Sequence, residues 1–83
     1  MRIDDFLSTV GIIKRRTTAK ELAHNGMIVV NGRTVKPAYL VKIHDIISLK
    51  GSHGGTFEVR EIPAGSVPKA NREKYFRELT ASR

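Results

Sequence analysis

Cysteine is absent from the 83-residue sequence. Disulfide bonds, zinc–thiolate sites and thiol catalysis are therefore excluded. Long apolar runs are absent too, since nothing approaches the roughly 18 consecutive apolar residues of a membrane span. The opening segment MRIDDFLSTVGI carries two aspartates where a signal peptide needs an apolar stretch. We expect a soluble cytoplasmic protein with no membrane partner.

Acidic residues are scarce relative to basic ones. The 8 Asp and Glu residues are outnumbered by 15 Lys and Arg, which gives a formal net charge of +7 and a pI near 10.3. A basic excess of this size on a small body attracts polyanions. Nucleic acid is the first class of partner to consider, and an anionic membrane surface is the second.

The length allows one small domain. Such a domain buries only about 60–65% of the surface that its unfolded chain exposes, so an elaborate catalytic cleft is not expected. The hydrophobic fraction of 40% is typical of a folded domain rather than a disordered tail.

Two amphipathic helices are predicted at the N-terminus. The second should run from about Arg15 to Asn25, although a capping box formed by Thr18 and Glu21 would start it later. The sequence leaves that first residue open. The first helix ends near Gly11, and its apolar face has helical spacing: Ile3, Phe6, Leu7 and Val10.

A β-hairpin is predicted next. Asn31 and Gly32 lie between two β-branched runs, which is the strongest short-range signal for a two-residue turn. This turn places Val30 opposite Arg33. One face of the hairpin, expected to pack on the helices, then carries three β-branched residues: Ile28, Val30 and Val35.

The remainder is read as a loop, two strands and a helix. KPAYLVKIHD is expected to be a connecting loop, and the strands IISLK and TFEVREI are joined by GSHGG. A short C-terminal helix in KANREKYFRELTASR would place three apolar side chains on one side: Tyr75, Phe76 and Leu79. The predicted fold class is α+β, two N-terminal helices packed on a small bent antiparallel or mixed sheet. Residues 1–62 would form the domain and residues 63–83 a linker with the helix.

No catalytic or metal site is expected. GSHGG lacks the following helix and lysine of a phosphate-binding loop, so a flexible hairpin loop fits it better. His24, His44 and His53 show no paired ligand spacing and are expected to be surface residues. No nucleophile, base and acid combine into a site. We therefore expect no enzymatic activity and no cofactor.

Lys14, Arg15 and Arg16 form a basic triplet at the start of the second helix. A lone triplet is usually a solvated helix end, but Lys20 lies one turn beyond Arg16 and extends the basic surface. Further cations come from segments that should pack beside these helices: Arg2, Arg33 and Lys36. Asn31 and Gly32 satisfy the turn, and a glycine backbone there could also approach a phosphate closely. Arginine forks match phosphate oxygens, so the set predicts an RNA-backbone surface.

The segments MRIDDFL, IKRRTTAKELAHNG, IVVNGRTV and VKIHDIISL together resemble the S-four RNA-binding domain family over residues 1–49. In that family two helices and a small bent sheet hold structured RNA. The resemblance and the basic triplet imply one set of RNA-binding residues: Arg2, Lys14, Arg15, Arg16, Lys20, Asn31, Gly32, Arg33 and Lys36.

Stand-alone members of the family imply binding to ribosomal RNA and tRNA on the large ribosomal subunit, in rescue or quality control of stalled nascent chains. The free chain is expected to be a monomer. Two alternatives stay open. One is a protein–protein adaptor that uses Tyr75, Phe76 and Leu79, and the other is an accessory module of an RNA-modifying enzyme.

Overall fold

Two α-helices open the chain in a computed structural model that describes residues 1–51, 54–65 and 67–79. Helix α1 spans Ile3–Thr9 and α2 spans Arg16–His24. A 3-10 helix at Lys69–Lys74 lies near the C-terminal end. Five strands complete the fold: β1 at Ile28–Val30, β2 at Arg33–Thr34, β3 at Ile46–Leu49, β4 at Gly55–Val59 and β5 at Phe76–Glu78. The predicted α+β class is confirmed.

The strands form one sheet in the order β2-β1-β3-β4-β5, and each neighbouring pair is antiparallel. The sheet is therefore antiparallel throughout the described residues, and the mixed alternative is not observed. Strands β2 and β5 form its two edges. This arrangement places the N-terminal hairpin and the C-terminal strand at opposite sides of the sheet.

Both helices begin and end near the predicted residues. Arg15 has extended dihedrals and makes no side-chain capping bond, so α2 starts at Arg16 and the Thr18–Glu21 capping box is not used. The spacing of apolar residues in α1 buries Ile3, Phe6 and Leu7 completely. Each fully buried side chain of this size contributes roughly 1.5–3 kcal/mol to stability.

The hairpin turn has the predicted geometry. Asn31 and Gly32 have φ values of 52° and 86°, as a type I′ turn requires. Val30 pairs with Arg33 as predicted, and the Val35 backbone N–H donates to the Ile28 carbonyl over 3.2 Å. The face turned to the helices is buried at Ile28 and Val30 and partly buried at Val35.

The N-terminus is tied to the loop that follows the hairpin. The Ile3 N–H donates to the Tyr39 carbonyl over 2.7 Å, and the Val41 N–H donates to the Met1 carbonyl over 3.0 Å. Arg2 and Leu40 form an isolated antiparallel bridge between them. These bonds fix Arg2 beside the loop at residues 36–41, which decides the shape of the surface described below.

The predicted short C-terminal helix is present as the 3-10 helix at Lys69–Lys74, but the prediction is wrong for residues 75–79, and its last residues, 80–83, lie outside the described residues. After the 3-10 helix the chain enters β5, where Val59 pairs with Phe76 and Phe57 pairs with Glu78. The Phe57 and Phe76 rings meet edge to face at 5.6 Å. Pairing with the open edge of β4 supplies hydrogen bonds and an aromatic contact to these residues, which a short solvated helix could not match.

The 3-10 helix also contacts the turn that follows α1. The Arg72 guanidinium donates to the Gly11 carbonyl over 3.1 Å. Gly11 has a φ of 81°, and a Cβ there would run into the Arg72 side chain. The segment after residue 62 therefore contacts the rest of the protein. The division into residues 1–62 and 63–83 stays a prediction.

The loop between β3 and β4 follows the sequence prediction where it is described. The two strands pair in register from Ile46 with Glu58 to Leu49 with Gly55, as in a hairpin. His53 lies outside the described residues. No helix in the described part of the chain has the length and apolar character needed to cross a membrane.

Candidate nucleic-acid interface

A buried carboxylate anchors the N-terminal basic residues. The Asp4 side chain is fully buried and accepts two bonds from the Arg2 guanidinium, at 3.2 Å from Nε and 3.0 Å from Nη2. The Asp5 backbone N–H donates to the same carboxylate over 2.7 Å. Arg2 remains 41% exposed at its side chain. Asp4 thus holds the Nε and Nη2 edge of the Arg2 guanidinium. The remaining N–H donors of this group are free to bind a ligand.

Arg16 joins the same group from α2. Its Nε lies 3.1 Å from Asp5 Oδ1 and 3.8 Å from Asp4 Oδ2, and its side chain is 52% exposed. Asp4 Oδ2 is therefore shared by two guanidinium groups, which come from the start of α1 and the start of α2. We call Arg2, Asp4, Asp5 and Arg16 the arginine–aspartate cluster.

A basic groove borders this cluster. It has a volume of about 390 Å³ and lies between the N-terminus, α2 and the loop after the hairpin. Its charged or ionisable lining residues are Arg2, Lys20, His24 and Lys36, and its remaining lining consists of Ala23, Pro37 and Ala38. Among the described residues, no acidic side chain lines it. Small apolar residues between cations leave room for a sugar–phosphate backbone to approach closely.

The basic triplet does not act as one group. Arg16 turns toward the aspartates, whereas the exposed Lys14 and Arg15 line a separate depression with Ile12, Ile13 and Thr18. Their distribution follows from the extended backbone at Arg15, which precedes the first helical residue. The predicted RNA-binding residues are consequently spread over the basic groove and a separate depression that contains Lys14 and Arg15.

The hairpin turn is exposed at Gly32 and Arg33, and neither residue lines the basic groove. Asn31 has a structural role. Its Nδ2 donates to Asp45 Oδ1 over 3.0 Å, and its Oδ1 accepts the Ile46 N–H over 3.0 Å. Asn31 thus has two structural roles: its backbone forms the turn, and its side chain joins the hairpin to Asp45 and Ile46. Its role in RNA binding stays a prediction.

Asp45 connects the hairpin with the following loop. This buried carboxylate also accepts the Tyr39 hydroxyl over 2.7 Å and the Lys42 N–H over 2.9 Å. Burial raises the pKa of Tyr39 above its ordinary value, and the hydrogen bond and negative charge of Asp45 add to this shift. The network keeps the loop at residues 36–41 in place and, through it, one wall of the basic groove.

Sequence reasoning missed His24 and the two aspartates as parts of this surface. His24 follows Lys20 by one helical turn, and this spacing could have placed it beside Lys20. In the sequence, Asp4 and Asp5 served only as evidence against a signal peptide. Their pairing with Arg16 depends on how α2 packs on α1, which no local pattern encodes.

The other described histidine, His44, lies elsewhere. Its Nδ1 is 3.4 Å from Glu58 Oε2, and it lines a hollow with Arg60 and Arg77 that shares no residue with the basic groove. Within residues 1–51, 54–65 and 67–79, no three His, Asp or Glu side chains are grouped so as to hold a metal ion.

Known proteins give an independent comparison. The family model for the S4 domain matches residues 1–47. An RQC P-site tRNA stabilizing factor from Helicobacter pylori is 37% identical over 78 residues, covering 92% of this chain and 93% of the relative. A Bacillus subtilis protein of the same name is 41% identical over 63 residues, covering 75% of this chain and 73% of the relative.

A solved structure shares the fold. The trimeric structure of Vibrio cholerae heat shock protein 15 matches with a TM-score of 0.86 at 25% identity, over 95% of this chain and 81% of that one. The names of the two sequence relatives describe a stabilizing factor, in agreement with the expectation that the chain is not an enzyme. The chain belongs to the S4 domain family and is a homologue of the RQC P-site tRNA stabilizing factor.

Proposed function

We propose that the chain binds structured RNA on the large ribosomal subunit, where it stabilises P-site tRNA during quality control of stalled nascent chains. The observation that carries this proposal is the basic groove, which is lined by Arg2, Lys20, His24 and Lys36 and by no acidic residue in the part of the chain that the structure describes. The name of the Helicobacter pylori relative, which aligns over 92% of this chain, supports the choice of RNA.

Phosphate binding explains why Arg2, Lys20 and Lys36 lie together around the basic groove. Like charges around one groove repel one another, and this repulsion is relieved when an anion enters. Arg2 and Arg16 can each offer guanidinium donors to phosphate oxygens because their side chains are only partly covered. Lys20 and Lys36 are exposed and act as point charges beside them.

The remaining predicted RNA-binding residues extend this surface in our proposal. Lys14 and Arg15 would contact a neighbouring stretch of backbone from their own depression. Arg33, with the exposed backbone of Asn31 and Gly32, would contact RNA at the hairpin tip. Large-subunit ribosomal RNA and tRNA are the two proposed targets. A cytoplasmic location and a monomeric free state belong to the same proposal.

The adaptor alternative loses its basis in the structure. It required Tyr75, Phe76 and Leu79 on one side of a helix, but Tyr75 and Phe76 are partly buried against the core. Only Leu79 of the three is substantially exposed, at 38%. No specific observation favours an accessory role in RNA modification.

Binding of groove variants to ribosomes tests the proposal. Lys20→Ala and Lys36→Ala should each weaken binding to large subunits that carry P-site peptidyl-tRNA, by about 1.5–3 kcal/mol if each ammonium meets a phosphate. Arg77→Ala is the matched control, because Arg77 is exposed on the opposite edge strand. Co-sedimentation gives the affinities, and melting temperatures check folding. Equal binding by both lysine variants and the parent would contradict the proposal.

A further inference from the structure

We propose that Asp4 and Asp5 are positioning residues of the RNA-binding surface, which hold Arg2 and Arg16 in a conformation ready for phosphate. This inference rests on the proposed function and adds a role for two acidic residues within a basic surface. Carboxylates beside an RNA-binding groove repel phosphate. Their presence there therefore needs a reason.

Asp4 is the buried anchor of the arrangement. Its side chain has no exposed surface, although it carries a carboxyl group, and it lies in the first turn of α1. Two N–H groups of Arg2 and the backbone N–H of Asp5 satisfy its oxygens. The two-pronged contact fixes the plane of the Arg2 guanidinium, whereas a single bond would leave it free to rotate.

Asp5 holds the second arginine. It contacts Arg16 Nε over 3.1 Å and is itself 35% exposed. Ion pairs between partly exposed residues contribute little to folding stability, so stability alone does not account for this contact. Because Arg16 uses its Nε, both of its Nη groups stay available as donors toward an RNA phosphate.

Preorganisation gives the pairing a function. A free arginine side chain populates many rotamers, and immobilising it on binding costs affinity. Because the aspartates already immobilise the two arginine side chains in the folded protein, this loss of conformational entropy occurs during folding and not during RNA binding. Asp4 Oδ2, shared by both guanidinium groups, also offsets the repulsion between them. The arginine–aspartate cluster can thus present two forks side by side.

Replacing Asp5 by a neutral residue distinguishes a positioning role of Asp5 from the general effect of its negative charge on RNA affinity. Asp5→Asn raises the formal net charge from +7 by one, so electrostatics alone predicts tighter binding to RNA. Loss of positioning predicts weaker binding, by about 3- to 10-fold. The probe is the large ribosomal subunit that carries P-site peptidyl-tRNA, and affinity is measured at two salt concentrations for each protein.

Two further variants serve as controls. Glu21→Gln makes the same charge change on α2, at an exposed residue without an ion pair among the described residues. It should bind as tightly as the parent or slightly more tightly. Asp5→Glu keeps the carboxylate and should recover most of the affinity lost in Asp5→Asn. Because Asp5 is partly exposed, Asp5→Asn should keep a melting temperature close to that of the parent.

The outcomes distinguish this inference from the proposed function. If the parent binds subunits and Asp5→Asn binds equally well or better, the positioning role is overturned while the proposed function stands. If Asp5→Asn and Glu21→Gln weaken binding alike, positioning by Asp5 is overturned as well. A parent that fails to bind such subunits would overturn both. Weaker binding confined to Asp5→Asn, with recovery in Asp5→Glu, supports the inference.

Discussion

Removal of the Tyr39 hydroxyl is a sharp test of the network beneath the basic groove. That hydroxyl donates to the buried Asp45 carboxylate over 2.7 Å. A hydrogen bond to a charged partner contributes about 1.5–3 kcal/mol to stability. Tyr39→Phe keeps the ring, so packing should change little. A loss near 2 kcal/mol would lower the melting temperature of a domain this small by roughly 8–16 °C.

The effect of Tyr39→Phe should depend on pH. Folding raises the pKa of Tyr39 above its ordinary value of 10.0, because of burial first and Asp45 second. A raised pKa means that the stabilisation is complete below about pH 10 and is lost as pH rises through the folded-state pKa. The parent should therefore lose stability in strong alkali faster than Tyr39→Phe does.

Melting curves of both proteins between neutral and strongly alkaline pH give the measurement. Lysine residues titrate in both proteins, so the difference between the two melting temperatures isolates Tyr39. Its ionisation can be followed directly by ultraviolet absorbance in a Tyr75→Phe background, since the sequence has only two tyrosines. Equal stability of the two proteins at neutral pH would refute the reasoning, as would a difference that grows in alkali.

Three other substitutions test separate parts of the structure. Gly32→Val should lower the free energy of unfolding by about 1–3 kcal/mol. A Cβ at this position meets no atom within 4 Å, so the loss would come from backbone strain at φ 86° and not from a steric clash. Gly32→Asn should cost less, and equal losses in the two variants would contradict the strain argument. Arg16→Ala should leave the melting temperature nearly unchanged but weaken ribosome binding by about 1.5–3 kcal/mol, and Arg16→Lys should recover part; full binding by Arg16→Ala would exclude it from the contact. Phe76→Ala should cost about 2 kcal/mol by removing the ring contact with Phe57; unchanged unfolding in denaturant would show that β5 does not support the sheet.

Local patterns predicted the two N-terminal helices and the N-terminal hairpin well. The spacing of Ile3, Phe6 and Leu7 describes a single helical face, and the pair Asn31-Gly32 specifies both the turn and the register of its strands. Each of these features is decided by residues close together in the chain. The resemblance to the RNA-binding family added the packing of helices on the sheet.

Features that depend on distant residues escaped the sequence reasoning. Phe76 satisfies helical spacing with Leu79, but its position is decided by β4, which is remote in the sequence. Asp45 and Asn31 are joined across 14 residues, so the structural role of the Asn31 side chain could not be deduced from the turn. Likewise, the sequence indicated only that Arg16 belongs to a basic triplet, whereas folding brings its guanidinium to Asp5.

Photo-crosslinking from one groove position tests the central claim most directly. A photoreactive benzoylphenylalanine at His24 would lie in the basic groove without removing Arg2, Lys20 or Lys36. The same substitution at His44, which is exposed in a separate hollow, is the matched control. After irradiation with large subunits carrying P-site peptidyl-tRNA, sequencing of the attached RNA should show ribosomal RNA or tRNA near the P site for His24 and much less for His44. Crosslinks from His44 alone, or from neither position, would contradict RNA binding through the groove.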